Sequence, residues 1–376
     1  MKAMVSTDMK RMNRKMIFDI VRKKRAVTRV ELSKLTGMSG PSIMTSVNEF
    51  IERGILSAAD TDAELKSGTL GRKPVTMLFN PDVLQSVGIE FEGNNLSVGL
   101  VNLDGKISHQ TMVKVPPNLG PAFYQALFHC LDKLEAMMTE TERKNYLGIG
   151  FGIPGVVDPK KKRIEFAPHV GVREPVDIAA DLQRVEDRFH KPVLIENDVN
   201  AGAMGEFYVR RIREEIQDLL YISVGAGIGA GIILDGKLRH GCRNLCGEIG
   251  YTVNGPEHLV ERSQPGWLES MVSHEALCKR FEDYRLSGLM SSEMITYMID
   301  LMSPVIANVV NTLDIDYVVI GGRLAVNGGE ELLRALGEKL QQMTLADIVL
   351  QGCQTDYTGI VGSALLATDH LLDTIF

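Results

Sequence analysis

The chain has 376 residues, 44% of them hydrophobic and 24% charged, a globular composition in a length too great for one ordinary domain. Its formal charge of −7 excludes a surface that coats nucleic acid throughout, yet the charge is divided: residues 1–80 hold 15 Lys and Arg against 8 Asp and Glu, and the rest holds 26 against 40. No stretch reaches the roughly 18 to 20 uninterrupted apolar residues of a membrane span, the first residues lack the apolar core of a signal peptide, and five scattered cysteines fit reduced thiols, so a cytoplasmic chain without a membrane partner is expected.

The basic head opens with a helix over Met9–Arg25, in which Met16, Ile17, Ile20 and Val21 fall at helical spacing. TRVE at Thr28 is a capping box and starts a short second helix, Arg29–Leu35. In TGMSGP, Gly37 supplies a left-handed turn, Ser39 caps the next helix and Pro41 fits a first helical position. The third helix runs to Arg53, with Ile43, Val47, Phe50 and Ile51 as its buried face and Ser42, Thr45, Ser46 and Asn48 directed outward. Two helices joined by a glycine turn present the second to a major groove, where small hydroxyl and amide side chains read base edges or bond phosphates. Cations come from Lys10, Arg11, Arg14 and Lys15, and from Arg72 and Lys73 in SGTLGRKP, where Gly71, Arg72 and Lys73 form a DNA-contacting β-wing tip between the extended runs Ile55–Ala59 and Val75–Phe79. The expectation is a winged helix-turn-helix over residues 1–80; a helical protein-interaction module with a solvated cationic face is the alternative.

After Pro81 the period changes to that of strands: QSVGIEFE, NLSVGLVNL and KISHQTMVKV form a meander. A helix over Ala122–Met138, the strand LGIGFGI, a helix over Ile178–Phe189 and the strand PVLIEN complete a unit. The order begins again with LLYISVG, GAGIILDG, a helix over Ile295–Leu313 and DYVVIGG. A duplicated βββαβα unit predicts an α/β body of two lobes facing a ligand cleft, residues 81–200 and 201–355, with a C-terminal helix in 356–376 returning to the first lobe.

The run YISVGAGIGAGIILDGKLRHGCRNLCGEIG resembles the signature of the ROK family (repressors, open reading frames and sugar kinases). FGIPGVVD, ENDVNAGAMGE, VVIGGRL and VGSALLA stand where that family has comparable motifs. With the head included, the resemblance extends over nearly the whole chain and is to the repressor branch. It implies an actin-like, hexokinase-like (ribonuclease H-like) body that binds sugar between its lobes. By match to the family, Asn197, Asp198, Glu248 and Glu269 are sugar-contacting residues, Asp198 standing at the position of the kinase base; capping of the helix beginning near Val199 is the other reading of Asp198. Tyr251 replaces a sugar-contacting histidine, and His169 stands where an asparagine is common, so both enter the candidate pocket. Trp267 is weighed between stacking on a sugar and packing in the core.

The departures from the family are as informative. Its kinases carry a glycine-rich, threonine-containing loop that lets backbone amides approach ATP; here IEFEGNN puts Glu92 at a glycine position and Asn94 at the hydroxyl position. Its zinc site uses a histidine after GEIG and a cysteine cluster; Tyr251 and VERSQPGWLE supply neither. No ATP, zinc or catalytic residue is therefore expected, and His240, Cys242 and Cys246 are read as a packed segment with buried thiols rather than a replacement site. The resulting expectation is a sugar-responsive repressor of carbohydrate metabolism genes that binds double-stranded operator DNA as a homodimer or homotetramer. A sugar kinase with a regulatory head, and a repressor controlled by a protein partner, are the alternatives.

Overall fold

The computed structural model describes residues 6–59, 75–212, 214–253, 255, 264–354 and 357–375. The head comprises α1 (Ser6–Lys24), β1 (Ala26–Thr28), α2 (Arg29–Thr36), α3 (Gly40–Glu52), β2 (Leu56–Ala58) and β3 (Thr76–Phe79). Its capping box forms: Thr28 Oγ1 accepts from the Glu31 amide at 3.2 Å and the Glu31 carboxylate accepts from the Thr28 amide at 2.8 Å. Gly37 ends α2 at φ 69°, a conformation that an L side chain resists. Pro41 is the second residue of α3, one place later than expected, because the helix begins at Gly40. The three strands pair antiparallel in the order β1-β3-β2, so β3 has a second partner that the sequence did not suggest. Phe18 packs edge-on against Phe50 and Phe79 in a core that also takes in Leu84, Leu103 and Leu372 from the body.

The first lobe runs β4 (Gln85–Glu92), β5 (Asn95–Asn102), β6 (Ile107–Lys114), α4 (Pro121–Met137), α5 (Glu140–Asn145), β7 (Ile149–Ile153), β8 (Val156–Asp158), β9 (Arg163–Phe166), β10 (Val176–Asp177), α6 (Ala179–Phe189) and β11 (Val193–Asn197). Its main sheet has the order β11-β7-β4-β5-β6, with β4, β5 and β6 antiparallel and β7 and β11 parallel. The second part contains α7 (Asp198–Arg210), β12 (Leu219–Val224), β13 (Ile228–Leu234), β14 (Lys237–Leu238), α8 (Trp267–Val272), α9 (His274–Arg280), α10 (Glu282–Ser287), α11 (Ser292–Leu313), β15 (Tyr317–Gly321), α12 (Arg323–Gln341), β16 (Val349–Gly352) and α13 (Thr358–Ile375). Its sheet, β14-β13-β12-β15-β16, repeats the same mixture of antiparallel meander and parallel strands.

Strand alternation decides which helices each sheet face receives. Val87, Ile89 and Phe91 face α4 and α6, whereas the glycines between such positions face α13: a Cβ on Gly88 or Gly150 would run into the Ile360 or Ser363 carbonyl. In β12, Leu220, Ile222 and Val224 join α11 and α12, while Leu219 and Tyr221 join α7 and α13. Helices α7 and α13 are thus packed between the two sheets. Helix α11 alone among the described helices is long and apolar enough to cross a membrane by length and composition, and its residues from Met294 to Val310 supply the core beneath the second sheet.

Candidate functional site

Strand β11 ends where α7 begins, and this junction places the first group of predicted residues. Asn197 is the helix cap: its Oδ1 accepts from the Asn200 amide at 2.9 Å, and its Nδ2 donates to Gly155 O at 2.8 Å and Asp198 Oδ1 at 3.0 Å. The capping weighed for Asp198 therefore falls to its neighbour. Asp198 is the half-buried first helical residue, its Oδ1 also accepting from the Val199 amide at 2.9 Å.

Glu248 starts the single helical turn Ile249–Tyr251, and Glu269 lies in α8 with its Oε2 accepting from the Ile228 amide at 3.3 Å. Burial, then the charges of Glu269 and Asp198, push Glu248 up to about 7. Burial and the same two glutamates raise Tyr251, whose hydroxyl donates to Gln264 O at 3.1 Å. Four predicted residues, Asp198, Glu248, Tyr251 and Glu269, are thereby brought within electrostatic reach of one another. Together with Asn197 they offer oxygens that accept from hydroxyl groups and one amide held in place by the cap. His169 lies in the turn Pro168–Val170, and its side chain lies outside the described residues. Trp267 is partly buried and packs against the core of the second lobe.

The Glu92 carboxylate stands opposite Gly225, where a Cβ would lie 3.7 Å from its Oε1, so a negative charge faces the retained glycine run. Behind it Glu90, accepting from the Gly359 amide at 3.2 Å, is pushed up to about 7 by burial and then by Glu92. Among the described residues, no three His, Cys, Asp or Glu side chains converge as a metal site would need. Cys246 is half-buried, but Cys242 is exposed, contrary to the expected burial, because it follows a positive-φ turn at Gly241 on the surface.

On the head, Ser39, Pro41, Ser42, Thr45 and Asn48 are exposed, as an outward face requires. Ser46 is not: it is 7% exposed, three residues after Ile43 and one turn before Phe50, within the buried stripe of the helix. Ile51, assigned to the core, is instead exposed, and so is Met44. Arg29, which nothing in the sequence marks as a site residue, donates to Asn48 Oδ1 at 3.2 Å. Arg14 and Arg53 both pair with Glu49, at 2.6 and 2.9 Å, so part of the expected cationic charge is already matched. Gly71, Arg72 and Lys73 lie outside the described residues.

A winged helix-turn-helix joined to a duplicated, actin-like body defines the architectural class. The chain belongs to the ROK family, whose pattern matches residues 86–370. It is 28% identical over 275 residues to the xylose repressor of Caldicellulosiruptor bescii, covering 72% of this chain and 66% of that one, just under two thirds of the relative. It is 21% identical to the DNA-binding transcriptional dual regulator NagC of Escherichia coli strain K12 over 97% of this chain and 94% of that one. Among solved structures, a ROK family transcriptional regulator described as a homologue of the E. coli MLC protein superposes with a TM-score of 0.76 at 19% identity, covering 97% of both chains.

Proposed function

We propose that the chain is a sugar-responsive transcriptional repressor of carbohydrate metabolism genes, acting in the cytoplasm as a homodimer or homotetramer on double-stranded operator DNA. The observation that carries this reading is that Asp198, Glu248 and Glu269 lie within electrostatic reach of one another in a body where the Glu92 carboxylate stands opposite Gly225 of the retained glycine run. Carboxylates within reach of one another repel a phosphate and accept from the hydroxyls of a neutral sugar. The chain is a regulator rather than a kinase, and neither ATP nor zinc is needed for this role. Helix α3 would enter the major groove through Ser39, Pro41, Ser42, Thr45 and Asn48, with the wing residues Gly71, Arg72 and Lys73 reaching the adjacent backbone or minor groove.

Regulation follows from linkage. A sugar that binds one relation of the lobes better than another biases the spacing of paired heads, and a coupling of roughly 1 to 3 kcal/mol changes operator affinity about 5- to 150-fold. The test uses an operator selected from random duplexes by the full chain, titrated with D-xylose, D-glucose or N-acetylglucosamine. Weaker operator binding with one of these sugars is expected. Tight operator binding that no sugar alters would remove the sugar-response reading and leave a DNA-binding protein under other control.

A further inference from the structure

His240 closes a chain of contacts between the lobes. It follows β14 of the second sheet, yet its Nε2 lies 2.7 Å from Glu196 Oε2 at the end of β11 in the first sheet. Glu196 is buried, and its other oxygen accepts from the Asn197 amide at 2.9 Å and from Asn200 Nδ2 at 3.1 Å. Asn197 caps α7 and donates to Asp198. A contact made by the second lobe therefore reaches, through one buried carboxylate, the cap of α7 and the aspartate in the cleft. A buried carboxylate that lost this donor would keep its two amide contacts but would have one oxygen unmatched, a cost that favours rearrangement of the junction.

We infer that His240 is a positioning residue of the sugar cleft: its ring clasps the two lobes through Glu196 and fixes Asn197 and Asp198 for the ligand. This rests on the reading of Asp198 as a sugar contact. The loop is itself seated by the Cys246 amide, which donates to His240 O at 3.1 Å. The charged groups acting on the ring are Glu196 from β11 and Lys160 from the turn between β8 and β9. Glu196 raises the affinity of the ring for its proton, against smaller opposing effects of burial and Lys160. The ring is 37% exposed, so solvent protons reach it. Its folded pKa is above the ordinary histidine value, so the clasp contributes fully below that ordinary value and weakens as pH rises through the folded one.

The experiment compares the full-length wild type with His240→Ala and His240→Gln. Thermal midpoints are measured without ligand from pH 5.5 to 8.5, and D-xylose affinity by calorimetry at pH 6 and pH 8. The expected result is a midpoint advantage of wild type over His240→Ala that is largest at the acid end and shrinks with rising pH. D-xylose affinity of the wild type should fall about 3- to 10-fold between the two pH values. It should be weaker and flat in His240→Ala, and restored but flat in His240→Gln, which keeps a donor. An advantage that does not change with pH overturns the clasp, and equal D-xylose affinities in wild type and His240→Ala overturn the positioning role. If D-xylose fails to bind the wild type while the pH-dependent advantage persists, the clasp stands and the sugar-positioning role is overturned with the sugar reading for that probe.

Discussion

Glu248→Gln tests whether the carboxylates converge as described. In the unfolded chain this glutamate ionises near 4.5, and in the folded protein it does so at about 7. Between those values the folded state keeps a proton that the unfolded state has lost, so stability falls as pH rises from about 4.5 to about 7 and is level beyond. The full difference of about 2.5 pH units is equivalent to roughly 3.4 kcal/mol at 1.36 kcal/mol per unit. Glu248 is only half-buried, and solvent screening reduces this to about 1 to 2 kcal/mol. With an unfolding entropy near 2.1 cal/mol/K per residue, that corresponds to a relative midpoint shift of about 1 to 3 °C. The assay is thermal unfolding of wild type and Glu248→Gln from pH 4 to pH 9. The variant should gain on the wild type as pH rises and hold its advantage above pH 7. Parallel curves across the whole range would refute the placement of Glu248 beside Glu269 and Asp198.

Other substitutions probe the remaining links. Arg210 and Glu206 are a fully buried pair, at 2.9 Å, that ties α7 to β15 and β16 through Tyr317 and Gln351; Arg210→Met should cost about 3 to 5 kcal/mol in urea unfolding, because Glu206 stays buried without its cation. Asp198→Ala should leave operator binding intact and abolish its response to sugar, read by fluorescence anisotropy with and without D-xylose. Asn48→Ala should weaken binding to the selected operator by about 1 to 3 kcal/mol and relax preference at one base position, with little change in binding to random DNA. Leu372→Ala should cost roughly 2 to 5 kcal/mol by opening a cavity in the head core, and operator binding should be lost at a lower temperature than sugar binding.

What could be read in advance follows the range of the interactions involved. The capping box at Thr28 and the turn at Gly37 are local rules and formed in place, while Ser39 stands at the cap position of α3 without a side-chain cap bond, its hydroxyl meeting that of Ser42 at 3.0 Å. The strand Ala26–Thr28 and the small sheet of β8, β9 and β10 escaped, since segments of two to four residues show no alternation. Ser46 and Ile51 exchanged sides because the apolar stripe of α3 falls at positions 43, 46, 47 and 50, and a serine in that stripe looks polar in sequence. Asp198, Glu248 and Glu269 stand in separate motifs of the sequence, and the fold brings them within electrostatic reach. Glu196 was part of the same motif as Asp198 but reads as strand, and its partner His240 is 44 residues away, so only the fold brings the two together.

The two sides of the head are attached to the body by different chemistry, and that difference bears on how a cleft could control DNA binding. On one side the attachment is apolar: Leu84, Leu103 and Leu372 enter the head core, and the Arg22 guanidinium donates to Leu103 O. On the other side α1 meets the segment after α7 through ion pairs, Asp19 with Arg211 at 3.4 Å and Lys23 with Glu215 at 3.1 Å, beside a cavity of about 390 Å³. Exposed ion pairs rearrange at a cost near 1 kcal/mol or less, whereas withdrawing a leucine from a core costs several times more. Motion of α7 relative to the first sheet would therefore pull on α1 through contacts that yield, while the apolar side acts as the fulcrum. Helix α13 ties that fulcrum to the first sheet: near its start the Gly359 amide donates to the Glu90 carboxylate, and 13 residues further on, about 20 Å at 1.5 Å per residue, Leu372 enters the head core.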